Sequence, residues 1–297
     1  MDTSDLANRM KEYEKRNRYY LQRRMPVLIR LDMRAGHSYT KGFKRPFDEV
    51  FMKTMQETAK YLCENVMNCK LAYVQSDEIT LVLVDYEKLN TEAFFDYRVD
   101  KLCSIAASVA TMAFNKFFIK NVDEWGYNNL PNYTEGGTSE VVDEKLMELC
   151  NCYWKAIEKG AMFDARVFNI PKEEVTNCLY WRQLDSTRNS IQMVGQANFS
   201  HKELQNKSCN MIQDMLMTQK GINWNDFPTH QKRGTCVIKE EYITRTDGNG
   251  TVFEVNPEDV GTGTDDLTFR TRWVIDKDIP IFKGEGRDYI EKLINFE

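Results

Sequence analysis

The sequence predicts an α+β fold with a C-terminal extension. Three observations carry that expectation. Short runs rich in branched aliphatic residues, "VLIRLD" at 27–32 and "LAYVQSDEITLVLV" at 71–84, have the composition of strands. Two longer stretches, one from Asp48 and one from about residue 92, repeat apolar residues at helical spacing. The last part contains "TCVIKEEYITRTDGNGTVFEV", a hairpin pattern around Asp247, Gly248, Asn249 and Gly250. No internal repeat or low-complexity tract interrupts this order, so strands and helices belong to one mixed architecture.

From the N-terminus, residues 5–24 are expected as a charged helix ending before Pro26. Between Lys11 and Arg24 stand six bases and two acids. That suits a solvated helix face better than a phosphate-facing one. The strand at 27–32 ends on Asp32. "MRAGHSYTKGFKRPF" contains Gly36, Gly42 and Pro46 and is expected as a loop, made basic by Lys41, Lys44 and Arg45. A helix starts at Asp48, with Val50, Phe51, Met55, Ala59, Leu62 and Val66 on one face. Residues 71–84 form two strands joined by a tight turn from Gln75 to Glu78. Residues 92–119 form a long helix, almost wholly apolar after Lys101, which belongs deep in the core. Residues 121–139, rich in Asn, Gly and Pro, are expected as a long loop or insertion. A short helix over about 140–158 follows, then the strand "FDARVFNI" and a helix over 174–194. Ser200 and Glu203 form a capping box before a helix carrying Leu204, Met211, Ile212, Met215 and Leu216. This order divides the chain into a main domain, 1–220, with an insertion near 120–160, and an extension, 221–297, packed on it.

The chain has 297 residues, of which 42% are hydrophobic, enough for a sizeable core. A net charge of −5 excludes an overall basic field. Eight cysteines form no CxxC pair; Cys150 and Cys152 could join a metal site, but the chain has only three histidines, His37, His201 and His230. Buried or idle thiols in a reduced, cytoplasmic setting are the expectation. No run approaches the roughly 20 apolar residues of a membrane span, so no membrane partner is expected.

Asp77 and Glu78 interrupt an otherwise apolar run, where carboxylates are rare unless paired or bound to a cation. If their strands neighbour the one ending at Asp32, three acids converge at one sheet edge. Converging carboxylates repel unless one is protonated or a cation lies between them. Oxygen ligands select a hard cation such as Mg²⁺, which takes few protein ligands and completes its shell with water and phosphate oxygens. Two such ions, about 3.5–4 Å apart, can clamp the attacking and leaving oxygens of phosphoryl transfer. Equally, "SDE" is ordinary hairpin chemistry and an acid at a strand end can cap a turn. Spacing alone leaves both readings open and favours the turn.

Five ordered motifs add to this. "RLDMRAGH", "AYVQSDEITLVL", "FDARVF", "YWRQLD" and "KRGT" resemble those of the tRNA-histidine guanylyltransferase family, over most of residues 25–236. The pattern is similar to the bacterial Thg-like branch, whose members are 3′-to-5′ RNA polymerases. The resemblance implies a palm-like antiparallel sheet backed by helices, two Mg²⁺ ions, ATP and GTP or other nucleoside triphosphates as substrates, tRNA as partner, and a homotetramer. It implies metal binding by Asp32, Asp77 and the main-chain carbonyl of Met33, with Glu78 beside them as a catalytic acid. Met33 stands where the family usually has Gly. Nucleotide contacts are implied for Asp32, Met33, Arg34, Ala35, Gly36, His37, Ser76 and Asp77. Arg45, Lys101 and Arg166 match basic positions that bind triphosphate. Arg182, Asn189 and Arg233 are the candidates for RNA contact. The family usually has Lys at positions 45 and 233, so charge is kept and geometry is not.

Taken singly, Lys101 could be an interfacial lysine, Arg166 an ion-pair partner of Asp164, and His37 a hydrogen-bond partner of its own loop. One departure bears on substrate. Where eukaryotic members carry His-Ile-Asn-Asn, this chain has Thr187, Arg188, Asn189 and Ser190. That favours templated 5′-end repair of truncated tRNA over untemplated guanylate addition to histidine tRNA. The rivals are a palm-type nucleotidyl cyclase and a tRNA-binding module without catalysis. Retention of Asp32 and Asp77 argues against the module.

Overall fold

The computed structural model describes residues 4–130, 143–246, 251–255 and 267–296. Helix α1 (Asp5–Lys15) is capped by Ser4, whose hydroxyl accepts from the Ala7 N–H. It stops well before residue 24. Arg23 and Arg24 are pinned in a turn, where Arg24 takes a left-handed φ of 64°: Arg23 Nε donates to Asp85 Oδ2 at 2.7 Å and the Arg24 N–H to Asp85 Oδ1 at 2.9 Å. Asp85 is fully buried. A buried carboxylate needs such partners, so this pair of arginines serves the fold.

The sheet is formed by β1 (Val27–Met33), β2 (Cys69–Gln75), β3 (Glu78–Leu83), β4 (Phe163–Asn169), β5 (Thr235–Thr246), β6 (Val252–Val255) and β7 (Leu267–Asp276). Its order is β4-β1-β3-β2-β5-β6, with β7 also pairing β5. All described pairings are antiparallel. Between the strands come α2 (Gly36–Tyr39), α3 (Glu49–Asn65), α4 (Val99–Asn129), α5 (Glu144–Lys159), α6 (Val175–Asn198), α7 (His201–Leu204), α8 (Cys209–Met215) and α9 (Thr229–Arg233); α10 (Asp288–Ile294) closes the chain.

Side chains alternate across the sheet with period two. Val27, Ile29, Leu31 and Met33 of β1 enter a core shared with α3 and α4. Leu28 enters a second core with Tyr73, Val82, Leu179 of α6 and Ile290 of α10. Arg30 and Asp32 lie on that second face, further along β1, where the exposed Asp164 and Arg166 of β4 flank them.

Several expectations change. Residues 36–39 form a short helix inside the expected loop. The long helix starts later and runs to Asn129, so the first half of the expected 121–139 loop is helical; most of the rest lies outside the described residues. By length and composition α4 could cross a membrane, against the expectation that no run is apolar enough. Here Leu102, Ala106, Ala110, Phe114 and Phe118 bury one face in the core beside the sheet. The Ser200 capping box forms as expected. β5 and β6 pair from Thr246↔Val252 onward; the expected hairpin tip, 247–250, lies outside the described residues. The sheet also runs on past residue 220, because β5 pairs with β2 from Val74↔Thr235 to Leu71↔Ile238.

Candidate active site

Register brings the acids together. Asp32 of β1 lies opposite Glu78 of β3 on one side and Asp164 of β4 on the other. Directly opposed residues project from the same face. Asp77 adds a fourth carboxylate from the turn between β2 and β3. Ser76 takes a left-handed φ of 48° in that turn. The Asp77 carbonyl accepts from the Met33 N–H at 3.1 Å, tying the turn to β1. Burial raises the pKa of Asp32, and Asp77, Glu78 and Asp164 raise it further in that order; Arg166 opposes them.

After β1 the chain reverses at Ala35, φ 56°, and α2 begins at Gly36. A Cβ on Gly36 would lie 2.0 Å from Asp77 Oδ2. Glycine is needed there for the carboxylate to rest against the loop.

Glu78 is engaged elsewhere. Arg182 grips both its oxygens, Nε to Oε1 at 2.8 Å and Nη2 to Oε2 at 2.9 Å, and also reaches Asp185 at 2.9 Å. Burial alone would lower the pKa of Arg182, but Glu78 and Asp185 outweigh it and hold the guanidinium charged. Val175, Leu179 and Arg182 share the inward stripe of α6, spaced i, i+4, i+7. That stripe points Arg182 at the sheet, so the expected RNA contact at Arg182 is corrected to a buried ion pair. The same bond makes Glu78 a supporting acid, turned to α6 rather than to Asp32.

With Glu78 committed to Arg182, Asp32, Asp77 and Asp164 remain; Asp32 and Asp77 are the two that the resemblance assigns to a cation, with the Met33 carbonyl at the end of β1. Among the described residues no group of three His, Cys, Asp or Glu side chains could hold a metal by itself. The donor set fits Mg²⁺, which uses few protein ligands and fills its shell with water and phosphate oxygens.

A cavity of about 370 Å³ opens beside Asp77. Of the sequence candidates, Gly36, His37, Arg45, Ser76, Asp77 and Asn189 line it. Phe47, Phe51, Met52 and Met193 give it apolar walls. Gln75, also in the wall, has a buried Oε1 without a protein partner. Asp48 is committed to the fold: it accepts from the N–H groups of Phe51 and Lys44 and from Tyr153 OH at 2.7 Å.

Arg34 and Lys101 are exposed outside the cavity, Lys101 in the first turn of α4. Arg166 stands exposed near Asp32 and, among the described residues, forms no ion pair with Asp164. Arg233 lies beside the cavity, its carbonyl accepting from Tyr73 OH at 2.6 Å. Of the four positions matching His-Ile-Asn-Asn, three are tied internally. The Thr187 hydroxyl donates to the Gln183 carbonyl, Arg188 pairs with Asp185, and the Ser190 hydroxyl accepts from Trp224 Nε1 at 3.0 Å. Asn189 faces the cavity.

Sequence reasoning missed Asp164, Gln192, Gln196 and His230. Gln192 and Gln196 follow Asn189 at i+3 and i+7, so a helical projection of α6 would have shown the stripe. Asp164 needed the strand register, which no local signal supplies.

The profile of a family described as "Thg1: tRNAHis guanylyltransferase" matches residues 7–171. A solved bacterial tRNA(His) guanylyltransferase (Thg1)-like protein in complex with ATP is 35% identical, with a TM-score of 0.72 over 99% of this chain and 100% of that one. A second such structure, in complex with GTP, is 33% identical, with a TM-score of 0.67 over 98% and 99%. The tRNA(His) guanylyltransferase of Saccharomyces cerevisiae is 25% identical over 232 residues, 73% of this chain and 84% of that protein. With the acids at the strand edge and a cavity beside them, this chain belongs to the tRNAHis guanylyltransferase family and is a nucleotidyltransferase of that kind.

Proposed function

We propose that this enzyme adds nucleotides in the 3′-to-5′ direction to the 5′ end of tRNA, as template-directed repair of truncated ends. The observation that carries the reading is the cavity ending at Asp77, beside an Asp32 whose pKa is raised by burial and like charge. A nucleoside triphosphate with its base in the apolar part of the cavity would direct its phosphates to those acids. The ATP and GTP named with the bacterial relatives support such an occupant.

The 5′-monophosphate of the RNA attacks the α-phosphorus of ATP, releasing pyrophosphate and leaving an adenylylated, pyrophosphate-linked end. The 3′-hydroxyl of the incoming nucleotide then attacks the RNA's 5′ phosphorus, and AMP leaves. A 5′-triphosphate end skips the first step. Two Mg²⁺ ions held by Asp32, Asp77 and the Met33 carbonyl would supply Lewis-acid stabilisation of the developing charge. Arg45, at the cavity wall, and Arg166, beside Asp32, neutralise phosphoryl oxygens through charge-assisted hydrogen bonds. Lys101 adds positive charge from α4. The segment 32–37, from the end of β1 into α2, orients the nucleotide, and Arg182 holds Glu78 and the strand edge in place. No protein nucleophile is required. The enzyme acts in the cytoplasm as a homotetramer, so one tRNA meets several subunits.

The test is incubation of 5′-truncated tRNA with ATP, GTP and Mg²⁺. Extension that follows the base opposite the gap, for tRNAs of several identities, is the expected result. In competition, intact histidine tRNA should give the lower kcat/KM. A preference for intact histidine tRNA that disappears when its anticodon is changed would overturn the repair assignment.

A further inference from the structure

Beyond Arg45 lies a second concave surface of about 530 Å³, which shares Arg45, Gln192 and Gln196 with the nucleotide cavity. Its floor is apolar: Phe199 and Ile212 are buried and pack with Leu204. Gly195 sets its depth, since a Cβ there would come within 2.8 Å of Ile212 Cγ2 and push α8 off α6. Its walls are polar. Gln192, Gln196, Gln205 and Asn206 offer amides, while Arg45 and Lys207 offer positive charge. No acid lines it. Neighbouring Glu203 spends its carboxylate on Ser200, at 2.7 Å to the N–H and 2.6 Å to the hydroxyl. Among the described residues, none of those amide side chains, nor the side chain of Arg45 or Lys207, hydrogen-bonds to another protein group.

An apolar floor suits the flat face of a base. Amides that donate and accept suit its edge, and the two bases suit the flanking phosphates. We propose that this groove holds one or two unpaired nucleotides of the RNA next to the reacting 5′ end. The inference rests on the tRNA reading above. A free nucleoside triphosphate shares this chemistry, but it travels with Mg²⁺, and the groove has no carboxylate to meet the ion. Continuity with the cavity through Arg45 also places the groove where an RNA strand leaving the reaction centre would run.

The experiment uses the full chain with Lys207→Glu, and separately Gln205→Glu, both on the outer wall away from Asp32 and Asp77. Affinity for 5′-truncated tRNA is measured against salt concentration, and KM for ATP is measured alongside. Lys207→Glu should weaken tRNA binding about tenfold near 0.1 M salt and lower the slope of log K against log salt by roughly 1. Gln205→Glu should also weaken it, with KM for ATP and the melting temperature unchanged in both. Unchanged tRNA affinity in both variants overturns the proposal. A raised KM for ATP with unchanged tRNA affinity overturns it in favour of a free-nucleotide site. If the unmodified enzyme binds no tRNA, the RNA reading itself falls and the groove's role with it.

Discussion

Asp32 couples stability to activity. A carboxyl whose folded pKa is raised gives its full stability only below the ordinary carboxylate range, and that contribution is lost as pH rises through the folded value. At neutral pH and without Mg²⁺, Asp32 therefore costs stability relative to acid pH. Asp32→Asn should melt no lower than the unmodified protein at pH 7 without metal, and should lack the stabilisation that Mg²⁺ brings. Nucleotide addition should fall by about a thousandfold or more, as also for Asp77→Ala. Near-normal turnover in either variant would remove them from the metal site. Arg182 predicts the opposite pattern. Arg182→Ala leaves Glu78 without its partner in a site where the two side chains are 10% and 12% exposed. Loss of about 3 kcal/mol in chemical denaturation is expected, and a variant that unfolds like the parent would show the pair to be idle.

At the scale of elements, α4 positions the start of β4. Asn115 donates to the Ala161 carbonyl at 2.9 Å and accepts from the Ala161 N–H at 2.8 Å, while the Thr111 hydroxyl accepts from the Phe163 N–H at 3.1 Å. These bonds fix the strand that carries Asp164 and Arg166. Asn115→Ala strands one donor and one acceptor and should cost about 2 kcal/mol. It should also raise KM for nucleotide by loosening Arg166; an unchanged KM would separate β4 placement from substrate binding. The stripe of α6 divides by turn: Arg182 looks inward, whereas Asn189, Gln192 and Gln196 look into the cavity. One helix thus supports the acids and lines the cavity beside them.

For the whole molecule, the sheet crosses the expected boundary at residue 220. β5 covers the edge of β2, and α10 places Ile290 and Ile294 in the same core as Leu28. A chain ending at residue 220 would bare that edge and open that core. It should be insoluble, or unfold without a cooperative transition by circular dichroism. A soluble, cooperatively folding 1–220 fragment would support the two-part division. The proposed tetramer is checked by sedimentation of the full chain, where a monomer at working concentrations would contradict it.

The sequence by itself determined the elements with strong period or strong punctuation. The branched-aliphatic run "VLIRLD", the helix opened by Asp48, the Ser200–Glu203 box and the turn before Glu78 are all written in local chemistry. So are the acids, because Asp32 and Asp77 stand at the ends of apolar runs where ionised groups need a reason. The ordered motifs raised that reading above ordinary turn chemistry. Tertiary structure decided the partners. Whether Glu78 met a cation or Arg182 depended on which stripe of α6 packs on β3. Whether Arg23 and Arg24 met RNA or Asp85 depended on a carboxylate some sixty residues away in the chain. Asp164 joined the acids only through strand register. Each of these is a long-range pairing chosen by burial and charge, and local sequence carries no record of which distant group will be opposite.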